Sequence, residues 1–398
     1  MFAPRLDPTI SIEEEKTPNY DAGRFYPVHL GQVLNGRYQI ATKLGYGANS
    51  TVWLARDRDR WRWSEDKYVA VKVNGTSHAS RRVPPENEVD NMNHISRVNP
   101  NHRGWHFVRK HSNSFTINGT SGSHMCLVLA ALREPLWLYR RRYINNVIPP
   151  DTLKILVMLF CNPTEKLLIN RPNLKPDNIM VKIEDPAIVD RDVKDEFDNP
   201  LPQKYIDGRT IYLSRNNYGP LAKPTGIIQI VDFDFSVRTT PGQIHPGAIQ
   251  AEIYRAPEVI LNAGYTHSAD IWSLGVMVIV GLAPRQGTFN PATPDEPDEY
   301  DEQTHLGQIT SLIGPPPKAL LSKGQRTSMF YQNIGAPKDL GRIPTDFTLE
   351  KSITCMSEEE KTSFLHFVKR MLTWCLEERS SAKELLDDPW MYEDFPQD

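Results

Sequence analysis

Residues 44–52 read LGYGANSTV and lie between two β-rich runs, RYQIATK before them and VWLARD at their end. Aromatic and β-branched residues on either side of a glycine-containing turn predict a hairpin. Gly45 and Gly47 have no Cβ, so the backbone there can come close to phosphate oxygens that a side chain would hold off. Alone, Gly-x-Gly in a β-turn is more often only a turn, and the third glycine of the usual phosphate-loop pattern is Ser50. The residues that follow, and their order, decide the reading.

Twenty residues beyond Val52, the run VAVKV places Lys72 inside an apolar strand. A strand lysine usually faces solvent, but apolar neighbours on both sides argue for a charge with a task, such as a partner for phosphates. In ENEVDNMNHI, Glu88 lies on a predicted helix with Met92 and Ile95 on a nearby face, placed to pair with Lys72; Glu86 is the alternative partner. Further on, NRPNLKPDNIM (170–180) carries Lys175 and Asn178, whose amide oxygen suits a hard cation such as Mg²⁺. The strand-like IIQIVDFDFSV then ends in Asp232-Phe233-Asp234, with Asp232 the main candidate metal ligand. Ala256-Pro257-Glu258 and Asp270-x-Trp272 follow; Glu258 is expected to bind a buried arginine, with Arg379 the candidate, and Asp270 to cap the backbone of the stretch 170–180.

The bulk of the sequence agrees with a soluble globular protein. At 398 residues the chain exceeds the usual reach of one hydrophobic core, about 250–300 residues, so two packed lobes are expected. Hydrophobic residues make up 39% and charged residues 24%, and a formal net charge of -3 gives no reason to expect direct nucleic-acid binding. Cys126, Cys161, Cys355 and Cys375 are scattered without a CxxC pair, which indicates neither a zinc site nor a disulfide framework. No run has the length of a membrane span and the N-terminus has no signal-peptide core, so the sequons at Asn74 and Asn118 read as chance.

Along the chain, 1–36 is rich in Pro and Glu and reads as an extended lead-in. Residues 37–132 are β-rich and 133–393 take longer, helically spaced apolar runs, so the class is α+β. Within the second part, about 181–228 is polar and rich in Pro and Asp; it reads as an inserted loop with little core of its own.

Glycine hairpin, strand Lys, helix Glu, Lys-x-x-Asn, Asp-Phe, Ala-Pro-Glu and Asp-x-Trp occur here in the order seen in eukaryotic protein kinases, which the chain resembles from about residue 20 to 392. More narrowly, GRFYPVHLGQVLNGRYQIATKLGYGANSTVWLARD resembles the entry segment of the SR-protein kinase family, where Gly-Tyr-His-Pro-Val precedes Leu-Gly-Trp-Gly-x-x-Ser-Thr-Val-Trp-Leu. That family also carries serine at the position of Ser50. LREPLW, NPLPQK, IYLSRNNYGPL and EIYRAPEVILNAGYTHSADIWSLG are similar to its fungal members.

The resemblance implies a bilobal kinase fold and phosphoryl transfer from ATP with Mg²⁺ to serines of Arg/Ser-rich proteins, by a monomer resident in cytoplasm and nucleus. It implies nucleotide contacts from Gly45, Tyr46, Gly47, Ala48, Ser50, Val52, Ala70, Lys72, Leu129 and Ala131, the last two flanking the hinge, and metal contacts from Asn178 and Asp232. It assigns Lys72, Glu88 and Lys175 to the catalytic set together with Asn173, which stands where the family has its catalytic Asp.

Three departures accompany this. Arg171-Pro172-Asn173 replaces His-Thr-Asp, Asp234 replaces glycine, and Pro163 is expected to break the helix begun by LKILVMLF. An Asn can orient a hydroxyl but cannot take its proton, which leaves two readings: a serine/threonine kinase lacking its general base, or a nucleotide-binding pseudokinase acting as a docking module.

Overall fold

Alternation of buried and exposed positions organises the first part of the chain into a sheet. In the computed structural model, which describes residues 3–394 apart from 62, 65–66, 77–85, 99–100, 102, 165–168, 171–173, 222–227, 241, 283–299, 333–334, 340–347 and 354, the chain divides into two compact units. The first comprises Met1–Arg97, Arg109–Glu134 and Met180–Thr225, and the second Val98–Val108, Pro135–Ile179 and Gly226–Asp398.

The first unit is built on a six-stranded antiparallel sheet: β1 (Val33–Leu34), β2 (Tyr38–Gly47), β3 (Ser50–Asp57), β4 (Tyr68–Asn74), β5 (His111–Gly119) and β6 (Gly122–Ala130), in the order β1-β2-β3-β4-β6-β5. Its period of two sorts the side chains onto two faces. On one, Trp53, Val71, Val73, Cys126 and Val128 join Leu34, Tyr38 and Ile40 in a buried cluster. The other carries the row set by the pairing of Gly45 with Val52, Val52 with Lys72 and Lys72 with Leu127, and beside it Ala70 opposite Leu129. A one-residue slip would exchange the two faces, so the apolar cluster fixes where Lys72 points. Helix α1 (Glu86–Val98) belongs to this part, with Met92 and Ile95 buried.

Two expectations need correction. The lead-in is ordered before residue 36, through short 3₁₀ turns at Glu13–Lys16 and Ala22–Arg24 and through β1. The insertion is not a bare loop: it forms a helix, Ala187–Asp198, and a hairpin pairing Gln203–Ile206 with Arg209–Tyr212, and it groups with the first unit rather than with the second part of the chain. Its polar composition concealed this, because charges do part of the packing. Lys204 is only 2% exposed and is neutralised by Glu15, while Arg215 pairs with Asp195 and Glu196. Tyr212 supplies apolar area as well, meeting Trp53 edge-on at 5.5 Å between ring centroids.

The second unit is helical, with long helices at Pro150–Thr164, Ser268–Leu282, Glu302–Ile313 and Glu358–Lys369. Ser268–Leu282 is apolar on nearly every face and lies buried along almost its whole length, as such a helix must. The described helix Pro150–Thr164 includes Pro163, so the turns that precede the proline stay helical. Tertiary burial of Leu153, Leu156, Val157, Phe160 and Cys161 holds the preceding turns despite the missing amide. Among the described residues no helix is long and apolar enough to cross a membrane.

Candidate functional site

In the first unit the two-residue turn Ala48-Asn49 closes the hairpin, with Gly47 opposite Ser50. Among the described residues, no atom beyond the adjoining ones lies within 4 Å of a Cβ added to Gly45. Packing therefore does not demand glycine at 45, and the open space at Gly45 suits a phosphate-bearing ligand. Lys72 Nζ donates to Glu88 Oε2 at 2.8 Å, with side-chain exposures of 14% and 3%. This decides between the two candidate glutamates, since Glu86 is exposed. Pairing holds the ammonium group at a fixed point beside the open face of the hairpin.

The segment after β6 is shaped by arginines that sequence reasoning missed. Arg109, almost buried, donates through Nε (3.2 Å) and Nη2 (2.5 Å) to the carbonyl of Ala130, between Leu129 and Ala131. Arg133 lies in the interior and reaches Glu134 at 3.1 Å, Glu184 at 2.6 Å and the Gly219 carbonyl at 2.7 Å. It binds the end of this segment to both ends of the insertion. Burial pushes the phenol of the adjoining Tyr218 far above its ordinary range.

In the second unit Lys175, Asn178 and Asp232 come together through the backbone. Asn178 N donates to Lys175 O, and Val231 N donates to Asn178 O, both at 2.9 Å, so the residue before Asp232 is tied directly to Asn178. Asp232 has φ 63°, a left-handed conformation uncommon outside glycine that short polar residues tolerate best, and Phe233 beside it is buried. Asp234 is not among the residues with positive φ, so nothing in the backbone requires glycine there; its carboxylate accepts from Phe235 N at 2.8 Å. Asn173 lies outside the described residues. Among the described residues no three His, Cys, Asp or Glu side chains converge on one point. A magnesium ion needs no such cage, because one or two protein oxygens and the phosphates of its nucleotide hold it, and Asn178 and Asp232 provide oxygens of that kind.

Below these groups, Gln250 is buried with φ 69° and makes three hydrogen bonds of 2.8 Å: it donates to Ala269 O and Ser273 Oγ and accepts from Ala256 N. It pins the chain ahead of Ala256-Pro257-Glu258 onto the helix Ser268–Leu282. No local sequence signal marks it. Tyr254 has its phenol raised well above the usual range by burial first and by the charge of Asp177 second. Glu258 meets Arg379 as expected, and Asp270 is buried in the first turn of its helix.

A family model described as a protein kinase domain matches residues 169–391. A serine/threonine protein kinase of Aspergillus fumigatus is 35% identical over 98% of this chain and 93% of its own length. The serine/threonine-protein kinase SRPK of Physarum polycephalum is 28% identical over 95% and 91%, and SRSF protein kinase 3 of Sus scrofa 30% identical over 95% and 90%. The crystal structure of a kinase domain superposes with a TM-score of 0.67 at 21% identity, covering 93% of this chain and all of that one, which speaks for the fold.

Proposed function

The chain belongs to the protein kinase family and is an ATP-dependent serine/threonine protein kinase, and from that premise we propose that it phosphorylates serines of Arg/Ser-rich proteins with Mg²⁺ as its metal. The observation that carries the substrate class is likeness over nearly the whole chain to proteins described as SRPK and SRSF protein kinase 3. These relatives lend no support to a docking module without activity.

ATP would lie against the Gly45–Ser50 hairpin, with its adenine between Val52, Ala70, Leu129 and Ala131 and its phosphates near Lys72. Glu88 keeps the lysine in place at 2.8 Å, so its charge needs no reorganisation when negative charge shifts on the phosphates. Asn178 and Asp232 would supply oxygens to the metal. Asn173 can orient the substrate hydroxyl but cannot accept its proton; transfer then relies on positioning, without a general-base contribution of typically about 10²–10⁴-fold. Residence in cytoplasm and nucleus as a monomer is part of the same proposal.

The test is single-turnover phosphoryl transfer to an Arg/Ser peptide and to a matched Lys/Ser peptide, with Mg²⁺ or without divalent ions. Preference for the arginine peptide and dependence on Mg²⁺ are expected. Equal rates on the two peptides would refute the substrate class.

A further inference from the structure

Three successive glutamates near the start of the chain each hold a different group of the first unit. Glu14 accepts from Nζ of Lys43, whose side chain is wholly buried in β2. Glu15 accepts from Lys204 Nζ with both oxygens at 2.8 Å. Glu13 accepts from Ser214 N at 3.0 Å and Ser214 Oγ at 2.5 Å, and lies 3.3 Å from Lys43 Nζ. Lys43 Nζ also donates to Tyr212 O at 3.0 Å, and Arg215 N donates to Lys43 O at 2.8 Å. Ser214 therefore sits where the N-terminal segment, the end of the insertion and β2 meet, and β2 is the strand that runs into Gly45 and Gly47.

Ser214 is followed by Arg215 and lies in the irregular stretch after the hairpin strand Arg209–Tyr212, half-buried. Of the other Ser-Arg pairs, Ser96-Arg97 is in helix α1, where Ser96 Oγ donates to Asn93 O, and Ser80-Arg81 lies outside the described residues. A Ser-Arg segment outside helix and strand has the chemistry of the substrate class proposed above, and this inference rests on that reading.

We propose that Ser214 is a phosphorylation site for this kinase's own activity, and that its phosphorylation releases the N-terminal segment from β2. In the transfer, Ser214 Oγ forms a bond to the γ-phosphorus of ATP, the bond from that phosphorus to the bridging oxygen breaks, and ADP leaves with the electron pair. The hydroxyl proton goes to solvent. The product carries a charge of about -1.5 to -2 and no longer donates to Glu13. It faces Glu13 and Glu14 as a like charge and competes with both for Lys43. Glu13, held at φ 51°, is already in a backbone conformation unfavourable to its type, so it is the contact that yields first.

The full chain and Ser214→Ala are incubated with ATP, Mg²⁺ and an Arg/Ser peptide in one tube, then mapped by mass spectrometry and digested briefly with trypsin. Expected are phosphate on Ser214, cleavage after Lys16 or Arg24 faster by about tenfold or more, and neither change in Ser214→Ala. Ser214→Glu, never exposed to ATP, should show the faster cleavage. A phosphorylated peptide beside an unmodified Ser214 overturns the inference and leaves the substrate class standing; a phosphorylated Ser214 with unchanged cleavage overturns the release. If neither peptide nor protein takes phosphate, the substrate reading fails and the site with it.

Discussion

Arg379 grips both oxygens of Glu258, Nη1 to Oε1 and Nη2 to Oε2 each at 2.6 Å, across 121 residues of chain and with neither side chain exposed. The guanidinium also lies 5.0 Å from the ring centroid of the buried Trp272. An interior pair contributes little net energy while it is intact, but removing one partner strands the other charge. Arg379→Met is therefore expected to lower unfolding free energy by about 3–5 kcal/mol. Arg379→Met with Glu258→Leu should recover much of the loss. Urea unfolding of the three proteins checks this, and a double variant no more stable than the single one would contradict it.

Lys72→Met removes the charge beside the glycine hairpin and leaves the Glu88 carboxylate without its lysine. Turnover should fall by on the order of 10²-fold or more, since a fixed charge at the reacting phosphates acts mainly in the transition state. Glu88→Gln keeps an oxygen acceptor for the lysine and should cost less. Single-turnover rates at saturating ATP rank the two; equal rates for Lys72→Met and the unaltered protein would remove Lys72 from the site.

His305, wholly buried on the helix Glu302–Ile313, has its pKa held down to about 3, by burial first and by the charge of Arg255 second. Its ordinary value is about 6.5 in the unfolded chain. Below that value the unfolded state takes up a proton that the folded state refuses, so stability from this group is intact above about pH 6.5 and is lost as pH falls toward 3. The slope is about 1.4 kcal/mol per pH unit. His305→Gln should make the fall in stability between pH 6.5 and 4 shallower by that amount, as read by denaturant unfolding at each pH.

The pairs most legible in the sequence were those whose partners are set by periodicity or motif order. Apolar neighbours placed Lys72 inside a strand, helix phase favoured Glu88, and Arg379 followed from the place of Glu258 in the motif order. The insertion was not legible, because its hairpin buries Lys204 against Glu15, far away near the N-terminus, and its helix charges Asp195 and Glu196 pair with Arg215, contacts that leave no apolar signature. Arg133 and Gln250 escaped for a related reason. Their bonds depend on tertiary approach, 86 residues apart in the case of Arg133 and Gly219, and a lone Arg or Gln in a polar loop looks like any solvated residue.

The last prediction concerns Asn173. The residue at this position is expected to meet the substrate hydroxyl, whereas the proposed ATP contacts at the glycine hairpin and Lys72 are other residues. Asn173→Asp should therefore raise turnover of an Arg/Ser peptide by about 10²–10⁴-fold while changing ATP affinity little, because only the proton acceptor is restored. The gain depends on the approach to the loop: Pro163 lies in the described helix Pro150–Thr164, and a misplacement of about 1 Å can cost on the order of 10²-fold even with the right side chain. The substitution is accordingly made alone and with a helix-forming replacement of 161–171, and phosphorylation is followed in single turnovers. Gain in the single variant assigns the deficit to the missing carboxylate. Gain only in the combined variant assigns it to the end of the helix. No gain in either, with ATP still bound, would contradict the assignment of the deficit to position 173.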